Sequence, residues 1–345
     1  MAIASVGIFL LAEVAFRSYY FGLESIYKPS DYSPRAITIS KFIEADPNPL
    51  IGYKLSANQK GLFKGAPLSV NSQGFRGSEP AGNQLPPTYQ ISLLGASIDM
   101  GAGVSNESTY ANALERQLNA ALPFSIKIQN HAVGGYKAIQ IEQSFWANVD
   151  KLEPNMILLP VHPMFFNKTY QPHQVDRGNS FCFEIRCHFQ DFFILKLLTS
   201  YARELTLNLR KTQLFGTKNH WNSLAKKNSP FEKLNSSKEG DIFKRFIKNL
   251  RRAGYTVVVL RLPTLKTYSA LEEAKMNNAW NKWLNEVNPP FTIDTSGDLK
   301  PKISSSDSIY PGDMHPNQTV HSLYANAILQ PLSTILGKAV YNKKN

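Results

Sequence analysis

The amino-acid sequence predicts a doubly wound α/β domain, and three observations support that prediction. Five short, unbroken apolar runs have the length of strands that are buried on both faces of a parallel sheet. Amphipathic helical patterns alternate with these runs, as they do when helices cover both faces of such a sheet. The 345 residues, 43% of them hydrophobic and 19% charged, have the composition of a folded protein, which excludes disorder, collagen-like repeats and coiled coil.

The predicted elements of this domain begin near residue 90. An unusually long stretch separates the third strand from the fourth, and we predict that residues 165–250, rich in Phe, Lys and Asn, form a helical lid. The predicted strands are Ile91–Leu94, Ile126–Gln129, Met156–Val161, Thr256–Leu262 and Phe291–Ile293, and the predicted helices are Tyr110–Leu122, Ala138–Leu152 and Asp241–Ala253.

The amino terminus carries a separate apolar segment. Residues Ala2 to Phe16 are apolar except for Ser5 and Glu13, and the aromatic residues 19–21 follow Arg17. A run of this length with an aromatic cluster at its end predicts a signal-anchor or transmembrane helix over residues 1–21. A cleaved signal peptide and a buried amino-terminal helix are the alternatives. No basic residue precedes the run, so charge gives no orientation for it.

Residues 22–88 contain many Gly and Pro residues, which predicts a linker followed by a small, irregular, β-rich lead-in. Residues 89–340 then form the main domain. The two cysteines, Cys182 and Cys187, are too few for a disulfide scaffold or a four-cysteine zinc site. A local disulfide and two free thiols both stay open.

The chain is basic, with a net charge of +12, and much of that charge lies in residues 203–282. A solvated basic face is the plainest interpretation, and an anionic polymer or membrane surface is the functional one. No aromatic-interleaved RNA motif or zinc-finger spacing accompanies the charge, so nucleic acid is not an expected partner.

Three short segments carry residues that could do chemistry, and they lie where open α/β sheets place their sites. Ser97 follows the first strand on a tight turn, which can expose its hydroxyl and backbone N–H. Gly134 and Gly135 follow the second strand, where a glycine lets the backbone approach a ligand. Asp313 and His315 precede the last helix, and such a pair can orient an imidazole as a base for a serine.

In this order along the chain, the three segments resemble those of the SGNH hydrolases, also called GDSL-type esterases and lipases. The resemblance covers about residues 66–335. The lead-in segment Val70–Gly77 and the apolar helix with Glu13 and Arg17 resemble membrane-anchored bacterial members. The resemblance implies a flavodoxin-like three-layer α/β/α sandwich with a five-stranded parallel sheet, and ester hydrolysis or acyl transfer without a metal or organic cofactor.

The resemblance also implies roles for individual residues. Ser97 matches the nucleophile, His315 the general base and Asp313 the carboxylate that orients the base. The oxyanion donors are the backbone N–H groups of Ser97 and Gly135, with Gly134 as the alternative to Gly135.

The chain departs from the family in two places. Ala96 stands where an acidic residue normally precedes the serine, and Asp99 is a candidate to replace it; the plainer role of Asp99 is to place negative charge at a helix amino terminus. Met164 aligns with the asparagine of the third block, which normally supplies a further oxyanion donor. His162, Asn167 and Asp99 are therefore candidate substrate-binding residues.

Two functional hypotheses follow from these residues. The first is a membrane-anchored esterase or O-acyltransferase whose extracytoplasmic domain acts on a cell-envelope glycan or another acylated substrate. The second is a catalytically impaired relative that binds a glycan or a protein partner in the same cleft. The complete Ser, His and Asp set favours the first, and the divergent third block favours the second.

Overall fold

The computed structural model describes residues 2–28, 32, 39–79, 89–166, 232–266, 268–310 and 313–341. Its amino-terminal part holds a long helix, a short helix and two antiparallel hairpins. These elements are α1 (Ala2–Phe21), α2 (Glu24–Tyr27), the hairpin of β1 (Ile43–Ala45) with β2 (Tyr53–Leu55), and the hairpin of β3 (Lys60–Phe63) with β4 (Ala66–Ser69).

The main domain is built on a parallel sheet of five strands. In chain order they are β5 (Tyr89–Leu93), β6 (Ile126–Asn130), β7 (Met156–Pro160), β8 (Thr256–Arg261) and β9 (Phe291–Asp294). Across the sheet the order is β6-β5-β7-β8-β9, and every pairing is parallel. This is the 2-1-3-4-5 order of flavodoxin-like folds, whose chain reverses direction across the sheet between β5 and β7.

Helices cover both faces of the sheet. Their bounds are α3 (Ser97–Met100), α4 (Tyr110–Ala121), α5 (Ala138–Leu152), α6 (Glu232–Ser236), α7 (Lys238–Arg252), α8 (Ala270–Val287), α9 (Ser296–Leu299) and α10 (Gln318–Tyr341). One core joins the sheet to α5, α7 and α8, and the other joins it to α4 and α10. Neighbouring strand residues alternate between these cores, so the sheet is buried on both faces.

The fold confirms the predicted three-layer α/β/α sandwich with five parallel strands, and each predicted strand lies within two residues of its observed bounds. Helix α7 begins at Lys238, three residues before its predicted start, because the Ser237 hydroxyl caps it by accepting the Gly240 N–H. The sequence analysis missed α8, whose buried face carries the stacked indoles of Trp280 and Trp283.

Both ends of the predicted lid over residues 165–250 belong to the sandwich, and its middle lies outside the described residues. Phe165 and Phe166 end a 3-10 turn after β7 and are buried. The hydrophobic face of α7, including Phe243 and Phe246, lies in the core between the sheet and α5. Burial of these apolar side chains removes their surface from water and stabilises the sandwich. Residues 167–231, with Cys182, Cys187 and Asn167, lie outside the described residues.

The amino-terminal lead-in is packed onto the sandwich. Phe42, Leu55, Phe63 and Phe75 belong to the same core as α5 and α7. The segment Val70–Gly77 bridges this lead-in to the main sheet, because the Arg76 N–H donates to the Asn130 carbonyl at the end of β6. The lead-in therefore reaches the carboxyl edge of the sheet.

Helix α1 has two different halves. In its second half Glu13 and Arg17 form a buried ion pair at 2.8 Å, and Phe16 packs with Tyr310 of the main domain. The first half exposes large apolar side chains around the helix, including Val6, Ile8, Leu10 and Leu11. Within the described residues, α1 is the helix that is long and apolar enough to cross a membrane.

Candidate active site

Ser97 lies directly beyond the carboxyl end of β5, where the chain reverses direction across the sheet. It is the first residue of α3 and is partly exposed, whereas its neighbours Ala96 and Ile98 are buried. Sites of open α/β sheets form at this position because the loops on either side of the reversal separate and leave a crevice. The turn thus presents the Ser97 hydroxyl at the amino terminus of a short helix.

Asp99 supports the serine turn from below. Its carboxylate is fully buried and accepts the Ala96 N–H at 3.0 Å and the Tyr110 hydroxyl at 3.0 Å. The Nε2 atom of His162, also fully buried, lies 2.9 Å from the same carboxylate. Burial, and then the charge of Asp99, raises the pKa of Tyr110, which keeps this hydroxyl a hydrogen-bond donor.

This burial corrects the expectation that Asp99 and His162 contact the substrate. Neither side chain reaches the surface, and the Asp99 carboxylate is bound by the Ala96 N–H, the Tyr110 hydroxyl and His162 Nε2. Asp99 instead has the plainer role, because it satisfies an N–H group at the amino terminus of α3.

Arg76 holds the other end of α3. Its buried guanidinium donates to the carbonyls of Met100, Gly101 and Val104 and to the Asn106 side chain. Burial lowers the pKa of Arg76 to about 9, partly offset by Glu107, so the group stays charged at neutral pH. A cation at the carboxyl end of a helix satisfies carbonyls that lack helical partners. Arg76 thus fixes the loop that follows Ser97.

The glycine pair after β6 lies beside the serine. A Cβ atom placed on Gly134 would be 3.8 Å from the Cβ of Ser97. Gly135 is exposed and has φ +88°, and a Cβ there would lie 2.6 Å from the Tyr53 hydroxyl. That hydroxyl donates to the Gly134 carbonyl at 2.8 Å. The structure therefore brings the predicted oxyanion segment next to Ser97 and holds it with Tyr53 of β2.

Asp313 and His315 form a hydrogen-bonded pair. The Nδ1 atom of His315 lies 2.5 Å from Asp313 Oδ1, and the backbone N–H groups of Met314 and His315 donate to the same oxygen. With Nδ1 donating to the carboxylate, the other ring nitrogen is left to accept a proton. The pair has the geometry of an oriented general base.

A lysine from the lead-in completes the surroundings of this carboxylate. Lys64 Nζ lies 2.6 Å from Asp313 Oδ2 and 5.6 Å from the ring centre of Tyr310. Burial alone would raise the pKa of the Asp313 carboxyl, but its bond to His315 and the charges of His315 and Lys64 hold it well below its usual range. Asp313 is therefore ionised at neutral pH.

The serine turn and the Asp313–His315 turn meet at one loop. The N–H groups of Gly101 and Ala102 donate to the Ser97 carbonyl, and Ile309 packs against Gly103 two residues further on. Ile309 also donates its N–H to the His315 carbonyl. This loop thus links the two halves of the predicted catalytic set, and a direct hydrogen bond between Ser97 and His315 stays a prediction.

The third block is apolar where the family has its asparagine. Residues Pro163–Phe166 form a 3-10 turn, and the Phe165 ring stacks on Phe243 of α7 with centroids 5.7 Å apart. This turn follows β7, the strand next to β5. Across the described ranges, no group of three or more His, Cys, Asp or Glu side chains is arranged to hold a metal ion.

A cleft of about 240 Å³ opens at the same edge of the sheet. It lies beyond the ends of β8 and β9 and is lined by polar and aromatic side chains, among them Arg261, Tyr268, Asn277 and Lys300. Arg261 is bound to Asp294 and Asn277, so its charge is already paired. The cleft lies two strands away from β5, and neither Ser97 nor the Asp313–His315 turn lines it.

Sequence reasoning missed Tyr53, Lys64 and Tyr310 as residues that hold the site. The first two lie in a segment whose Gly and Pro content predicts turns only, and their partners are separated from them by 81 and 249 residues. Tyr310 lies three residues before Asp313, but its contacts with α1 have no signature in the sequence. Arg76 lies in the segment Val70–Gly77, but the resemblance of that segment assigns no role to Arg76.

The segments that resemble those of the SGNH hydrolases thus lie on the carboxyl edge of a flavodoxin-like sheet. No family model matches the chain, and no curated protein matches it. Among solved structures it resembles the esterase EstA from Pseudoalteromonas sp., at 13% identity and a TM-score of 0.41 over 73% of this chain and 100% of that one.

Two further solved structures are similar at the same level. A lipase/acylhydrolase from Enterococcus faecalis has 10% identity and a TM-score of 0.41, over 71% of this chain and 96% of that one. A catalytic mutant of the acetylxylan esterase Axe2 from Geobacillus stearothermophilus has 11% identity and a TM-score of 0.40, over 72% and 96%. Likenesses of this size do not identify a substrate or a reaction.

Proposed function

We propose that this protein is a serine esterase or O-acyltransferase of the SGNH type, attached to a membrane and acting on an acylated envelope glycan or a similar ester. The observation that carries the proposal is the Asp313–His315 pair, which adjoins the loop that follows Ser97. Each of these residues alone has an ordinary structural explanation. Together they supply an oriented base beside a serine at the edge of a sheet where ligands bind.

The proposed reaction begins with attack by the Ser97 hydroxyl on the acyl carbonyl. His315 accepts the serine proton at its free ring nitrogen, while Asp313 holds the opposite nitrogen and stabilises the charged ring. The proton then passes to the alkoxide of the leaving sugar or alcohol, and the acyl group stays on Ser97. Water or a second hydroxyl attacks that ester, with His315 again taking the proton, and frees the serine.

The negative oxygen of each tetrahedral intermediate needs hydrogen-bond donors. The N–H of Ser97 at the start of α3 and the N–H of Gly135 are the proposed donors, with Gly134 as the alternative to Gly135. Tyr53 supports this arrangement because its bond to the Gly134 carbonyl fixes the peptide that leads to the Gly135 N–H. An absent third donor would cost roughly 3–4 kcal/mol of transition-state stabilisation, which predicts a slow enzyme.

Attachment to a membrane is supported by the two halves of α1. Its first half exposes apolar side chains around the helix, and its second half packs on the main domain through Phe16. A cleaved leader would leave Tyr310 without the packing that Phe16 and Phe21 give it. We therefore propose a retained helix, and the resemblance to membrane-anchored members is the reason to propose an extracytoplasmic site. The mass of the mature protein from a membrane fraction tests retention directly.

The apolar third block favours a second function, in which the same cleft binds a glycan or a protein partner without turnover. Labelling with a fluorophosphonate probe separates the two, because the probe reacts only with an activated serine. The proposed enzyme should label in the wild type and in Ser105→Ala, a neighbouring serine, and not in Ser97→Ala. Equal labelling of all three, or labelling of none, would favour the binding protein.

A further inference from the structure

Lys64 occupies an unusual backbone position for a lysine. It is the first residue of the two-residue turn between β3 and β4, with φ +53°, and Gly65 follows with φ +82°. Turns of this kind favour Asn, Asp or Gly at the first position, because other side chains are strained there. A strained residue that persists points to a role for its side chain.

The turn is held in place by helix α1. A Cβ atom on Gly65 would lie 2.5 Å from the Phe21 ring, so the helix packs directly against the turn. Phe21 also lies 6.0 Å from Tyr310, measured between ring centres. The hairpin tip, the end of α1 and the start of the Asp313–His315 turn therefore pack together.

The Lys64 side chain reaches from this turn to the second oxygen of Asp313. Its Nζ atom lies 2.6 Å from Oδ2, and the two side chains are 14% and 4% exposed. The first oxygen, Oδ1, is taken by His315 Nδ1 and two backbone N–H groups. With both oxygens bound from opposite sides, the carboxylate has one orientation, the one that faces Oδ1 toward the imidazole.

We propose that Lys64 is a positioning residue for the catalytic Asp313–His315 pair, acting through its ion pair with Asp313. This inference rests on the proposed function of Ser97 and deepens it. Lys64 touches neither the serine nor the substrate. Lys64 fixes the carboxylate and offsets part of its negative charge. The carboxylate therefore stabilises the protonated imidazole less than it would without the lysine.

Lys64 brings a positive charge to Asp313, and the other groups around the pair are neutral or bound to each other. Tyr310 of the same turn shares a hydrogen bond with the Asp313 side chain but carries no charge, because burial, the charge of Asp313 and this hydrogen bond raise its pKa far above the ordinary value. His321 of α10 is neutral, because burial and then the charges of Arg76 and His315 lower its pKa to about 3. On α1, Glu13 and Arg17 are bound to each other.

The test measures the rate of fluorophosphonate labelling of Ser97 between pH 5 and pH 9, using the full-length protein in detergent micelles. In Lys64→Met we expect the plateau rate to fall about tenfold, because the carboxylate loses its fixed orientation. We also expect the acidic limb to move up by roughly half a unit to one unit, because the removed positive charge no longer opposes protonation of the imidazole. Lys64→Arg should retain both properties.

Lys60→Met is the matched control, since Lys60 is an exposed lysine of the same hairpin, and it should behave as the wild type. A uniform loss in Lys64→Met without movement of the acidic limb would reduce Lys64 to a structural role and overturn the proposal. So would a wild-type profile. Unfolding midpoints of all four proteins identify a variant that has failed to fold.

A second readout does not depend on a reactive serine. In the Ser97→Ala background, the midpoint of the His315 imidazole titration, followed by NMR after selective histidine labelling, should be higher in Lys64→Met than with Lys64 intact. An unchanged midpoint overturns the inference. If the wild type fails to label but the midpoint moves, the proposed esterase is wrong and the electrostatic role of Lys64 stands.

Discussion

The two halves of the candidate site are held by different parts of the molecule. Ser97 rests on residues of the sandwich and of the recognised lead-in segment: Asp99 and Tyr110 beneath the turn, and Arg76 at the end of α3. The Asp313–His315 turn rests on Lys64 of a hairpin tip and, through Tyr310, on the membrane-type helix. The proposed nucleophile thus depends on buried residues of the sandwich and of Val70–Gly77, and the proposed base depends on a hairpin tip and on α1.

This difference separates stability from activity. Disturbing the support of Ser97 removes buried hydrogen bonds and should unfold the sandwich, whereas disturbing the support of His315 should leave the sandwich folded but slow. Substitution of the proposed catalytic residues Ser97, His315 and Asp313 should instead remove activity and leave the protein folded.

The largest expected effect is on turnover. His315→Ala should reduce hydrolysis of an activated acetyl ester by at least about 10³-fold, because serine stays a poor nucleophile until a base accepts its proton. The loss of turnover in Asp313→Ala should be about tenfold to a hundredfold smaller than the loss in His315→Ala, because water partly replaces the carboxylate. Initial rates of hydrolysis, corrected for the rate of the Ser97→Ala variant, measure both losses. Equal losses in the two variants would contradict the separate roles of base and carboxylate.

Arg76→Met tests the support of Ser97. It removes the Arg76 donor from three buried carbonyls and from the Asn106 side chain, although the Gly101 carbonyl keeps the Val104 N–H, and a loss of about 3–5 kcal/mol in the free energy of unfolding should follow. Urea unfolding at neutral pH measures it. Arg116→Met, an exposed arginine that donates to the Glu107 carbonyl, is the control and should cost less than about 1 kcal/mol. Similar losses would mean that the Arg76 contacts do not stabilise the turn.

Acid should weaken the sandwich before it affects the Asp313 carboxylate. Burial, then the charge of Lys151, lowers the pKa of His131 to about 3, and the pKa of His321 is also about 3. Between that value and the ordinary 6.5 the unfolded chain binds more protons, so stability is full above pH 6.5 and falls as the pH decreases. Each histidine should cost about 2 kcal/mol at pH 5.

Urea unfolding of the wild type and of His321→Gln at pH 7 and pH 5 tests this expectation. The variant keeps an acceptor for the Tyr110 N–H and should lose less stability over that interval. Parallel losses in both proteins would show that His321 is not held neutral. Asp313 makes no contribution in this interval, because its pKa lies well below it.

Phe21→Ala tests the support of His315 from α1. The ring packs against Gly65 and Tyr310, so its removal loosens the hairpin tip that carries Lys64. We expect labelling of Ser97 to slow about tenfold, or about 1.4 kcal/mol, with little change in the unfolding of the sandwich. Tyr19→Ala is the control, because that side chain is 82% exposed. A loss of stability comparable to that of Arg76→Met would remove the distinction between the two halves.

The two halves also differ in how far the sequence predicts them. The strands and the position of Ser97 follow from apolar runs and a turn, which are local patterns, and the structure confirms those strands. The burial of Asp99 and His162 was not predicted, because a polar residue after a strand has the same local pattern whether it faces the core or the cleft. Lys64 and Tyr53 meet their partners only after long-range folding, which no local pattern records.

Met164→Asn has the smallest expected effect on turnover among these substitutions. If the third block aligns as the sequence indicates, Met164→Asn restores a donor toward the oxyanion beside those of Ser97 and Gly135. A well-placed donor is worth roughly 3–4 kcal/mol, but this turn is fixed by Phe165 and Phe166 in the core, so its backbone will not adjust to aim a new amide. We therefore expect a several-fold rise in turnover of a small acetyl ester.

Met164→Leu, which adds no donor, should leave turnover unchanged. An equal rise in both variants would mean that shape rather than hydrogen bonding limits the reaction. No rise in the asparagine variant, in a protein that labels at Ser97, would place the oxyanion donors elsewhere and show that the third block is a packing element in this chain.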